Sequence, residues 1–139
     1  IAVLRKNFAA EIASGKVTIY EKGVWDKDDV LGMHIDPADS ARDSFVRQSE
    51  GTKELRIPVT TIDHLVAELG LPRVDFIKMD IEGYEVNAIR GLAQTITTYK
   101  PNIWIEDFTG DAVNELRGMG YEVVMDDGGY GNYMMVNKS

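Results

Sequence analysis

The chain has 139 residues, 44% hydrophobic and 27% charged, with 15 Lys and Arg against 23 Asp and Glu, for a net charge of −8. This length and balance suit one globular domain with a core of its own, and the acidic excess argues against a nucleic-acid binder, which presents a basic face. The absence of cysteine excludes disulfides, thiolate catalysis and Cys-ligated zinc, and no apolar run approaches the length of a membrane span.

The first residues lack a basic stretch followed by an apolar one, so no signal peptide is expected and the protein is expected to be cytoplasmic. Ile1, Leu4, Phe8 and Ile12 recur at three- and four-residue steps, the pattern of an amphipathic helix, which Ser14-Gly15 should end. Residues 16–20 alternate, with Val17 and Ile19 on one side, and read as a strand. Gly23-Val24-Trp25-Asp26 reads as the turn that follows it. Residues 27–58 are polar and read as an irregular excursion or hairpin pair. They carry Asp36-Pro37 and Glu50-Gly51 and two strand-like pieces, 31–35 and 55–59. Their apolar content is too low for a separate core, so residues 1–139 are expected to form a single domain.

Thr60 or Thr61 caps a short helix bearing Leu65, Val66 and Leu69, closed by Gly70 and Pro72. Residues 74–79 form a strand apolar on both faces, as expected where helices cover each side. It stops on Asp80-Ile81-Glu82-Gly83. Residues 85–99 read as one helix with Ile89, Leu92, Ala93 and Ile96 as its buried stripe. Pro101 breaks the chain before a second buried strand, 102–105, which ends on Glu106-Asp107. A helix over 111–119 precedes strands at 121–125 and 133–136, joined by the glycine-rich loop 126–132. Strands alternating with helices predict an α/β fold with a mainly parallel sheet and a C-terminal antiparallel hairpin.

In open α/β sheets, ligands bind outside the carboxyl ends of the strands. Asp80 and Glu82 stand there and are the candidate catalytic residues. Two neighbouring carboxylates raise the proton affinity of one, which suits a base. The alternative is that they cap the next helix. Gly83 permits the tight strand-to-helix turn. Glu106 and Asp107 could join Asp80 as oxygen ligands of a divalent metal, but solvated strand-end carboxylates are the commoner arrangement, so no metal is assigned. Lys78, inside an apolar strand, needs an ion-pair partner. His34 reads as a residue of the excursion surface and His64 as structural. The loop 126–131 precedes a strand, not a helix, so it is no phosphate cradle.

The segment Phe76-Ile77-Lys78-Met79-Asp80-Ile81-Glu82-Gly83-Tyr84-Glu85, then Ile89-Arg90-Gly91 and Lys100-Pro101-Asn102-Ile103-Trp104-Ile105-Glu106, resembles the FkbM family of S-adenosyl-L-methionine-dependent methyltransferases. Val59-Thr60-Thr61-Ile62-Asp63-His64-Leu65, Leu4-Arg5-Lys6-Asn7 and Gly23-Val24-Trp25-Asp26 extend the likeness over most of the chain. The resemblance implies a Rossmann-like class I methyltransferase sheet of spatial order 3-2-1-4-5-7-6. On that map strands 1 and 2 are lacking, so the domain is expected to be N-terminally truncated and, by itself, a poor binder of cofactor. It further implies S-adenosyl-L-methionine as cofactor, held by Gly23, Val24, Trp25 and Asp80. Trp25 is placed to stack on or wall the pocket, the alternative being a core or rim aromatic. The implied reaction is O-methylation of a hydroxyl on a sugar, glycolipid or secondary metabolite, with a small-molecule or saccharide acceptor and no nucleic-acid partner.

Two other readings remain open at this point. A receiver-like phosphoacceptor also ends a strand on an acid, but it needs paired N-terminal acids that this chain lacks. A non-catalytic Rossmann-like interaction module would keep the shape without the chemistry.

Overall fold

The computed structural model describes residues 1–35 and 53–139. In chain order its elements are α1 (Ala2–Asn7), α2 (Ala9–Ala13), β1 (Gly23–Val24), β2 (Asp29–Ile35), β3 (Lys53–Thr60), α3 (Ile62–Glu68), β4 (Phe76–Met79), α4 (Glu85–Arg90), α5 (Ala93–Tyr99), β5 (Asn102–Glu106), α6 (Asp111–Gly118), β6 (Tyr121–Asp126) and β7 (Asn132–Asn137). They make two sheets, ordered β1-β3-β2 and β4-β5-β7-β6. The second order matches the last four positions of the implied class I arrangement. Parallel pairing is confined to β4 with β5 and β1 with β3. The pairings of β2 with β3, β5 with β7 and β6 with β7 are antiparallel. Among the described residues the strands are therefore mixed, where a mainly parallel sheet was expected.

The N-terminal helix forms in two pieces, broken at Phe8. Its apolar stripe is not a core face, since Ile1, Leu4 and Phe8 are all exposed. The strand expected at 16–20 is absent. The amides of Lys16 and Val17 both donate to the Glu11 carbonyl, at 2.8 and 3.2 Å. Those donors close the end of α2 and are lost to any ladder. The turn expected at 23–26 is instead a short strand. Gly23 and Val24 lie beside Val59 and Thr60, and the Trp25 amide extends that pairing to the Thr60 carbonyl at 2.8 Å.

In the excursion, Asp36-Pro37 and Glu50-Gly51 lie outside the described residues. Its strand-like pieces form the antiparallel pair β2 and β3, from Asp29 opposite Val59 to Ile35 opposite Lys53. Thr61 caps α3 as expected, its hydroxyl accepting from the His64 amide at 3.0 Å. His64 is structural: its ring Nδ1 lies 2.7 Å from Asp28 Oδ2 and ties α3 to the β1–β2 connection.

The single helix expected at 85–99 breaks at Gly91 and Leu92 into α4 and α5. Its stripe survives the break: Ile89, Leu92 and Ile96 are buried, and only Ala93 is not. These side chains meet Ile103 and Ile105 of β5, Met135 of β7, Tyr121 of β6 and Leu116 of α6. Each buried Leu or Ile contributes roughly 1.5–3 kcal/mol. The Tyr121 hydroxyl donates to the Pro101 carbonyl at 2.9 Å, and burial pushes its pKa up to about 12. The other face of this sheet is open among the described residues. Phe76 is 53% exposed, and the Lys78 side chain is exposed too. β4 is thus covered on one face, not on both.

At the break between α4 and α5, Gly91 makes room for the Trp25 backbone. A Cβ there would collide with the Trp25 carbonyl oxygen, lying 3.2 Å from its carbon and 3.3 Å from Thr61 Cβ. The Asp63 amide donates to the Gly91 carbonyl at 3.0 Å. The Asp63 carboxylate then caps α5, accepting from the amides of Gln94 and Thr95 at 3.0 and 2.7 Å. The small sheet meets the helical layer closely at this place.

Candidate active site

Parallel pairing decides the site. β4 and β5 run side by side with Met79 opposite Ile105. The next residue on each chain, Asp80 and Glu106, therefore emerges at the same end of the sheet. Carboxylate oxygens of Asp80, Glu82 and Glu106 come within 4.8 Å of one another. Lys78, two residues before Asp80 and on the same side of the strand, places its Nζ 2.7 Å from Asp80 Oδ2. The ion pair expected of Lys78 exists, but on an exposed face.

The three acids differ in proton affinity. The Lys78 ammonium beside Asp80 holds its carboxyl below the usual carboxylate range, with the hydrogen bond shared with Glu106 adding to the effect. Glu106 moves the other way: partial burial raises it first, then the Asp80 charge and hydrogen bond, then the charges of Glu82 and Glu85. Two close carboxylates thus do separate in affinity, but the raised member is Glu106. Asp80 and Glu82 had been the pair singled out for this effect.

The loop that carries Glu82 is strained and braced. Glu82 has φ 55 and Gly83 φ 94. A left-handed non-glycine residue costs free energy and persists only where its surroundings over-determine it. Glu85 supplies that constraint. It is buried, and its Oε1 accepts from the amides of Ile81 and Gly83, both at 3.2 Å. The capping alternative for Asp80 and Glu82 fails, because α4 has Tyr84 at its N-cap and no side-chain cap.

Asp107 has a structural role. It is 5% exposed and accepts from the amides of Thr109, Gly110 and Val113 at 3.1, 2.9 and 2.9 Å. That set holds the start of α6, so Asp107 leaves the candidate metal group while Glu106 stays near Asp80. A cleft of about 310 Å3 opens beside the acids, lined in part by Glu82, Glu106, Phe108 and Asp111. A larger cavity, about 430 Å3, lies at the other end of the sheet beside Lys100 and Ser139. It contains no group of facing carboxylates.

Of Gly23, Val24 and Trp25, it is Trp25 that reaches the N-terminal end of α4 from the other sheet. The Trp25 ring packs on Tyr84 with centroids 5.4 Å apart, tilted by 49°, and Tyr84 follows the loop that carries Glu82. Asp26 Oδ2 accepts from Asn87 Nδ2 at 3.1 Å. Asp26 Oδ1 is buried and has no hydrogen-bond partner among the described residues. Sequence reasoning set Glu106 beside Asp80, but as a possible metal ligand and not as the acid of raised proton affinity. It missed Glu85 and Asp26, whose roles depend on how loops pack.

The Methyltransferase FkbM domain model matches residues 1–123. The crystal structure of Methyltransferase FkbM from Methylobacillus flagellatus KT is similar in fold, with a TM-score of 0.58 and 17% identity over 96% of this chain. The chain spans 32% of the length of that protein. No curated protein matches. No helix among the described residues is long and apolar enough to cross a membrane. With the family model extending from α1 into β6, this chain belongs to the FkbM methyltransferase family.

Proposed function

We propose that this chain serves S-adenosyl-L-methionine-dependent methylation of a hydroxyl on a sugar, glycolipid or secondary metabolite. The observation that carries this reading is the trio Asp80, Glu82 and Glu106 at adjacent carboxyl ends of β4 and β5. Gly23, Val24, Trp25 and Asp80 would hold the cofactor. The residues present fit such a group. Asp26 Oδ1, next to Trp25 in the chain, is buried and without a hydrogen-bond partner among the described residues, and an exocyclic amino donor reaching it would satisfy it. Bound there, S-adenosyl-L-methionine supplies an electrophilic methyl group.

The chain's own residues do the rest. Lys78 keeps Asp80 ionised, so Asp80 accepts hydrogen bonds and does not donate them. Glu106, with its proton affinity raised, takes the proton that the acceptor hydroxyl must lose as its oxygen is methylated. Glu82, held in its left-handed loop, orients the acceptor hydroxyl in the cleft.

The test is calorimetric titration of S-adenosyl-L-methionine into the polypeptide as encoded by its gene, beside its Asp80→Ala variant. Saturable binding, weakened at least tenfold in the variant, is the expected result. A folded protein that binds no cofactor would refute the reading. The family shape would then serve association instead, a role to which the exposed apolar face of α1 is suited.

A further inference from the structure

The cleft that holds Glu82 and Glu106 has a marked chemical bias. Among the described residues its lining includes five carboxylates, from Glu82, Glu85, Glu106, Asp107 and Asp111, and no basic side chain. Glu85 and Asp107 are committed to the backbone amides that they brace, which leaves Glu82, Glu106 and Asp111 to face a ligand. Lys78, the nearby cation, is paired with Asp80. A phosphate or carboxylate entering here would meet like charge and, among the described residues, no unpaired cation. A neutral ring of hydroxyls would instead donate to acceptors already in place.

The second feature is aromatic. Phe108, two residues after the β5 end, is 74% exposed although it lines the cleft. Its ring is not loose. A Cβ at Gly131 would lie 2.9 Å from Phe108 Cδ1, so the bare backbone of that glycine supports one side of the ring. The Asp107 amide donates to the Gly131 carbonyl at 2.7 Å and fastens the two loops together. The ring is therefore seated on the 126–132 loop and otherwise largely exposed. An aromatic face carries negative charge density, which attracts the slightly positive C–H groups on one side of a pyranose ring.

We propose, building on the methyltransferase reading, that the acceptor is an uncharged saccharide ring and not a phosphorylated or nucleotide-linked sugar. It stacks on Phe108 and turns its free hydroxyls toward Glu82 and Glu106. At about 310 Å3 the cleft is at the small end of ligand sites, in keeping with one ring and not an extended chain. Phe108 is then a specificity-determining residue.

The test is saturation-transfer NMR on the polypeptide as encoded, with the methyl glycosides of glucose, galactose, mannose and fucose, and with glucose 6-phosphate. At least one methyl glycoside should receive saturation, strongest on its ring C–H protons. The signal should fall at least tenfold in Phe108→Ala and persist in Phe108→Tyr, which keeps the platform. Glucose 6-phosphate should receive none. Saturation of glucose 6-phosphate to the same extent, binding indifferent to Phe108→Ala in a folded variant, or no binding by any glycoside would each overturn the proposal. S-adenosyl-L-methionine titration of the same samples keeps the two readings apart. Cofactor binding without glycoside binding sinks only the acceptor assignment, and glycoside binding without cofactor binding sinks only the methyltransferase reading.

Discussion

Replacing Gly91 by alanine tests how the two sheets are joined. The added Cβ would overlap the Trp25 carbonyl oxygen, 3.2 Å from its carbon, with Thr61 Cβ at 3.3 Å closing the other side. The first neighbour is backbone held by the Trp25 amide's bond to Thr60 at 2.8 Å, so it cannot rotate away. Gly91 has an ordinary φ of −78, so alanine itself is not strained there and only the collision counts. Overpacking of this kind costs about 1–3 kcal/mol. For a chain of this size each kcal/mol moves Tm by roughly 2–6 °C. Gly91→Ala is therefore expected to lower Tm by about 5–10 °C in a circular-dichroism melt. It should also change the near-ultraviolet signal of Trp25, whose ring must shift against Tyr84. An unchanged Tm together with an unchanged near-ultraviolet spectrum would show that the β1 segment is not fastened at Gly91.

Two further outcomes are expected. Asp107→Ala removes a buried acceptor serving three amides at the start of α6. It should destabilise the fold by about 2–4 kcal/mol, read as a fall in urea midpoint, and a loss below about 0.5 kcal/mol would refute the capping role. Glu106→Gln tests the raised carboxyl. Because Glu106 binds its proton more tightly when folded than when unfolded, it favours the fold at low pH, and that contribution is lost as pH rises through its folded pKa. The variant should therefore gain Tm relative to the parent on going from about pH 4 to about pH 7. A parallel course of the two curves would refute the assignment of the proton to Glu106.

Much of the secondary structure was legible because its signals are local. Thr61 capping α3 requires only a hydroxyl three residues before an amide. The strand ends at Met79 and Glu106, and the hairpin of β6 and β7, follow from apolar runs bounded by acids and glycines. The errors arose where a distant partner decides the outcome. A strand over 16–20 needs a neighbour, and its amides went to α2 instead. A helix over 85–99 obeys its periodicity throughout, yet it breaks at Gly91, where the Trp25 backbone, 66 positions earlier in sequence (91 − 25), packs against it.

The candidate site divides in the same way. From residues alone came an α/β chain with acids after two strands, properties of spacing that depend on neighbours a few positions away. The FkbM type, and Trp25 as an aromatic candidate, came from the resemblance of its motifs to that family. Which acid holds a proton, which one braces a helix and which one shares a cleft with Phe108 are matters of distance between residues far apart in the chain. The parallel register of β4 with β5 set Asp80 against Glu106, and the packing of the loop after β5 took Asp107 out of the site. Hydrogen bonds need contact at about 3 Å and Coulomb energy varies with separation, so only the tertiary structure could assign those roles.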